Sequence, residues 1–132
     1  MRIAMVVAAV LAALFGFGLL VSPADFYAPF KLTLTPMAAT VAQAHGATLI
    51  GVAAINWLAR NFKSPELAAV AAGNLVIQIA SLGVAARTYA LGAGSEIAPA
   101  FVIHIALSIL FIWVIVTARG HERGAALDEK PA

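Results

Sequence analysis

Residues 97–118 read IAPAFVIHIALSILFIWVIVTA, a run without one Asp, Glu, Lys or Arg. A helix needs about 20 apolar residues to cross the hydrocarbon core of a bilayer, so this run is long enough to span one. Three other stretches share the property: Ile3 to Ala24, Leu32 to Ala59 and Leu67 to Ala86. The expected fold is therefore all-α, an integral membrane four-helix bundle over residues 1–119. A short cytoplasmic polar tail, residues 120–132, is expected to be disordered, because its charges alternate and it has little apolar surface to bury.

Composition agrees. The chain has 132 residues, of which 63% are hydrophobic and 11% charged, with a mean hydropathy of +0.98. Soluble domains carry about 25% charged residues, so a soluble form of this chain would leave much apolar surface wet. Four spans in this length leave no room for a separate soluble domain. The sequence pI of about 9.4 does not point to nucleic acid, because the basic residues fall at span ends, where lipid headgroups account for them. The absence of cysteine removes disulfides, thiolate metal sites, iron–sulfur clusters and thiol nucleophiles.

Orientation follows from Lys and Arg. With the N-terminus cytoplasmic, Arg2, Arg60, Lys63, Arg119, Arg123 and Lys130 lie inside and only Lys31 and Arg87 outside, so both termini are expected in the cytoplasm. The first span imitates a signal peptide, with Arg2, an apolar run and Val-Ser-Pro-Ala before Asp25. Its length exceeds the usual signal core of about 7 to 15 residues, and Pro23 sits badly beside a cleavage point, so it is read as an uncleaved span. Thr35-Pro36, Ser64-Pro65-Glu66 and Ser95-Glu96 predict hydroxyl caps and helix starts near residues 36, 65 and 96. The loop from Ser22 to Pro36 holds Phe26, Tyr27 and Phe30, and Trp57 and Trp113 lie near Arg60 and Arg119, as suits interfacial anchors.

Catalytic signatures are missing. Gly-x-Ser-x-Gly, His-Glu-x-x-His and a Walker loop do not occur, and Gly92-x-Gly94 lacks the third glycine and the preceding strand of a dinucleotide fingerprint. All six carboxylates lie outside the apolar runs, which argues against a pump or ion-coupled transporter.

What the runs do contain is neutral and polar. At about 100° per residue, His45, Thr48 and Asn56 share one side of the second helix, Asn74, Gln78 and Ser81 one side of the third, and His104 and Ser108 one side of the fourth. Lipid cannot satisfy such groups, so the stripes should face inward. Counting from span centres, His45 and His104 lie roughly 4 to 5 Å, and Gln78 roughly 2 Å, to the outer side, so the three could meet in one layer. One reading is structural: interhelical hydrogen bonds, with small residues such as Ala42, Gly46, Ala47, Gly51, Ala69 and Gly73 allowing close approach. Another is a ligand site, in which His45, Gln78 and His104, with Asn74 and Ser108 beside them, hold a quinone, lipid or isoprenoid. A sharper form makes His45 and His104 the axial ligands of a b-type haem, with only Lys31 and Arg87 on the outer side to meet its propionates. Ala100-x-x-x-His104 with Trp113 also resembles the chlorophyll-binding segment of light-harvesting polypeptides, which implies a bound pigment.

The segment Gln43-Ala-His-Gly46 through Gly51 to Asn56-Trp-Leu-Ala-Arg60, followed by a Pro turn, a polar third helix and a fourth helix carrying His104, resembles small uncharacterised bacterial four-span proteins of the DoxX-like type. The resemblance covers roughly residues 3–118. It implies a bacterial inner-membrane setting and carries over no catalytic residue. The function expected is a non-enzymatic accessory or scaffold subunit, self-associating or joined to a larger membrane complex. The alternative is a carrier of a lipophilic ligand or cofactor.

Overall fold

The computed structural model describes residues 1–92 and 94–128, with side chains at all of these except 122 and 125–128. Every regular element among the described residues is helical: α1 (Arg2–Val21), α2 (Pro23–Tyr27), a 3-10 turn (Ala28–Phe30), α3 (Pro36–Ala59), α4 (Ser64–Ala90), a second 3-10 turn (Ser95–Ile97) and α5 (Ala98–Asp128). Four helical segments are long and apolar enough to cross a membrane: α1, α3, α4 and Ser95–His121. The chain divides into two compact units, Met5–Leu58 and Met1–Ala4 with Ala59–Ala132.

In the unit Met5–Leu58, α1 stops where Pro23 restricts the residue before it; Ser22 leaves the helix at φ −144°. The loop from Ser22 to Pro36 contains short helical structure, α2 and a 3-10 turn. There Phe26 stands edge-on to Phe15, with ring centres 5.6 Å apart, and to Tyr27 at 5.3 Å. Gly18 makes room for that ring, since a Cβ there would lie 2.9 Å from it. Lys31 closes the turn in the left-handed region, at φ 57°. Thr35 then caps α3 as predicted, its Oγ1 accepting the Ala38 N–H at 3.2 Å.

The axis of this unit is a backbone-to-backbone crossing. A Cβ built on Gly46 would lie 2.7 Å from the Gly16 carbonyl oxygen and 2.7 Å from the Leu20 nitrogen; one built on Gly16 would lie 2.9 Å from the Gly46 carbonyl oxygen. Two glycines thus face each other, and α1 and α3 touch where neither has a side chain.

In the other unit, α4 and α5 form an antiparallel hairpin. The helix α4 ends on Gly92, at φ 97°, a left-handed residue just past the last turn of the kind that closes helices. Leu91 and Gly92 donate back to the carbonyls of Arg87 and Tyr89. The glycine that failed as a nucleotide motif is therefore a helix stop. Gln78 bonds to His104, and this fixes the register. Stepping outward from that pair in opposite directions brings Asn74 level with Ser108, and Ala71 level with Phe111. Ala71 and Phe111 are both buried, a small side chain at the level of a large one.

Three local expectations need correction. Ser64 does not cap α4: Lys63 occupies the cap position and no side-chain bond forms there, leaving Pro65 in the first turn, where its missing N–H is no loss. Ser95 does not cap α5 either, because residues 95–97 are drawn into a 3-10 turn that follows extended Gly94. The tail expected to be disordered is helical as far as Asp128, while residues 129–132 lie outside the described ones. Extending an existing helix avoids the cost of nucleation, and Glu122, Arg123, Ala125, Ala126 and Leu127 favour it, against Gly120 and Gly124.

Candidate functional site

An amide or imidazole on an apolar helix needs a partner inside the protein, because hydrocarbon offers none. In the α4–α5 hairpin that partner is the facing helix. His104 Nδ1 and Gln78 Oε1 are 2.7 Å apart. An amide oxygen can only accept, so Nδ1 carries the proton and donates it. Gln78 is 7% exposed and Asn74 5%, whereas His104 and Ser108 are half-buried.

One turn along, the polar groups turn to their own backbones. Asn74 Nδ2 donates to the Val70 carbonyl at 2.9 Å and Ser108 Oγ to the His104 carbonyl at 2.7 Å. Asn74 and His104 have further partners within the chain. No buried side-chain nitrogen or oxygen among the described residues is left without one. The arrangement can hold two helices in register. The Ser108 hydroxyl gives its proton to a main-chain carbonyl rather than to the His104 ring.

His45, the third residue of the expected layer, belongs to the other unit and its side chain is exposed, as is that of Thr48, which bonds to its own helix at the Ala44 carbonyl. Asn56, expected on the same side, is 1% exposed. The reason His45 stands out lies next to it: Gly46 faces α1, and its neighbour points about 100° away from that contact. A side chain of α3 that does bond to α1 is that of Gln43, three positions before Gly46. Its Nε2 donates at 3.2 Å to the carbonyl of Leu20, one of the last carbonyls of α1, which have no acceptor role within their own helix.

Sequence reasoning named Gln43 only as part of a resemblance, with no contact assigned to it, and passed over Gly16. Their shared signal was Gln43-x-x-Gly46 on one face of α3, which puts an amide beside a gap that only a helix backbone fills. Of the small residues expected at close approaches, Gly46 is used, whereas Cβ atoms on Gly51 and Gly73 would meet nothing within 4 Å. Among the described residues no three His, Asp or Glu side chains gather where they could hold a metal ion. Comparison of the chain with models of known families, with characterised proteins and with solved structures finds no match.

Proposed function

We propose that this chain is a multi-pass protein of the bacterial inner membrane, with four spans and both termini cytoplasmic, acting as a non-enzymatic accessory or scaffold subunit. It would associate through an open face of α4 with a second copy or with a helix of a larger membrane complex.

The observation that carries this reading is a glycine without a neighbour. Glycine in a helix interior costs about 1 kcal/mol relative to alanine, and at Gly16 and Gly46 close packing offsets that cost. Gly73 has no such compensation among the described residues of its own unit: a Cβ would meet nothing within 4 Å, and Ala69, one turn before it, is exposed too. Small residues four apart on an apolar helix are what a second helix needs in order to approach closely. The satisfied polar layer adds support, since Gln78 and His104 serve each other and the hairpin is complete as a structural part.

The test uses the lack of cysteine. In membranes, Ala69→Cys and Gly73→Cys should form disulfide-linked pairs of chains, or cross-link to a partner through a short bis-maleimide, while Val102→Cys on α5 should not. Gly73→Leu should lower the size of the gently solubilised complex with helix content unchanged. A chain that runs as a single copy, cross-links at none of these positions and ignores Gly73→Leu would refute the scaffold reading.

A further inference from the structure

The hairpin unit gathers most of its Lys and Arg side chains at one end. Counting fourteen residues back from Gln78 reaches Ser64, and fourteen on from His104 reaches Ala118, so the start of α4 and Arg119 lie at the same level. That end carries Arg60, Lys63, Arg119 and Arg123 against Glu66, Glu122 and, at the end of α5, Asp128. Lys63, Arg119 and Arg123 are exposed, whereas Arg60 is engaged within the chain. At the other end, on either side of the Gly92 turn, stand Arg87 and Glu96, one charge of each sign.

The continuation of α5 sets the depth of these charges. Arg119 and Arg123 are one turn apart on a helix that runs on to Asp128, so they are separated by about 6 Å along its axis. The headgroup layer on each side of a bilayer is about 5 to 8 Å thick. Trp113, half exposed at 50%, lies about 9 Å further in, where an indole suits the boundary between headgroups and chains.

We propose that this end of the α4–α5 hairpin is a binding site for anionic phospholipid headgroups, with Lys63, Arg119 and Arg123 contacting the phosphates of lipids that surround the helix pair. The proposal rests on the membrane reading above. Zwitterionic headgroups carry no net charge for the cations to select, whereas each Lys or Arg at an anionic surface strengthens binding by about fivefold.

Trp113 reports on it directly. With Trp57→Phe in place, Trp113 is the single tryptophan of a chain that has two. The protein is reconstituted in phosphatidylcholine vesicles containing brominated phosphatidylglycerol or brominated phosphatidylcholine. Quenching of Trp113 should show a preference of about fivefold or more for the brominated anionic lipid. That preference should shrink in about 0.5 M salt, and collapse in Arg119→Gln/Arg123→Gln, but persist in Arg87→Gln. Equal quenching by the two lipids, or a preference that survives both the salt and the double substitution, overturns the proposal. Failure of either lipid to quench at all would place Trp113 outside a bilayer, and so defeat the membrane reading and the lipid site together.

Discussion

Alanine at position 46 and alanine at position 51 are the same chemical change, five residues apart on α3, and they should act with opposite sign. A Cβ at Gly46 would sit 2.7 Å from both the Gly16 oxygen and the Leu20 nitrogen and 3.0 Å from the Leu19 Cβ. Ordinary contact needs about 3.5 Å, so α1 and α3 would have to part by roughly 0.5 to 0.8 Å. That movement loosens every atom pair along the crossing. It also stretches the Gln43–Leu20 bond, now 3.2 Å, beyond useful length. Overpacking of this kind costs about 1 to 3 kcal/mol, and a lost interhelical bond about 0.6 to 2. The gain in helix propensity from glycine to alanine returns about 1 kcal/mol. Gly46→Ala should therefore destabilise by about 0.6 to 4 kcal/mol. At Gly51 nothing lies within 4 Å, so propensity acts alone and Gly51→Ala should stabilise by up to about 1 kcal/mol. Reversible unfolding in mixed micelles, titrated with a denaturing detergent and followed by helix content, measures both. A neutral or stabilising Gly46→Ala would refute the backbone contact between α1 and α3.

Gln78→Leu should cost about 1 kcal/mol or more in the same assay, because it strands the His104 N–H, whereas Val76→Leu on the exposed side should change little. Thr35→Ala should cost about 1 kcal/mol by removing the cap on the Ala38 N–H, with Thr35→Ser restoring most of it. Lys31 holds a left-handed backbone at φ 57°, so Lys31→Gly should stabilise the turn by up to about 1 kcal/mol, read as a raised unfolding midpoint. Reporter fusions after Arg60 and after Lys130 should both report cytoplasm; a periplasmic signal at the C-terminus would overturn the span count behind the proposed topology.

The helices were legible because the absence of charge over twenty residues is a signal that survives any amount of variation in the apolar letters. Pro36 and Pro65 marked two helix starts for a local reason, a fixed φ and a missing donor. The pairing of Gln78 with His104 was within reach of the spacing, since polar stripes on two helices joined by a tight turn have each other as the nearest partners. The crossing of α1 and α3 was not. Gly46 and Gly51 look alike in sequence, and only the path of a second backbone decides that the first is filled and the second open. Gln43 was hidden for a related reason: its acceptor is a main-chain carbonyl, which every residue has and no letter announces. The tail misled because its alternating charges read as solvated chain, while a helix already formed upstream needs no nucleus to continue.

The bond between Gln78 and His104 also sets an order in time. Its partners are 26 residues apart, and a ribosome working at about 5 to 20 residues per second needs roughly 1 to 5 seconds to make that length. For a chain entering a bilayer as it is made, Gln78 has no acceptor or donor from α5 during that interval. The amide of Gln43 faces no such delay, because the Leu20 carbonyl it meets was synthesised 23 residues earlier. The hairpin of α4 and α5 would thus have to be released from the insertion machinery as a pair, whereas α3 can dock on a helix that is already waiting.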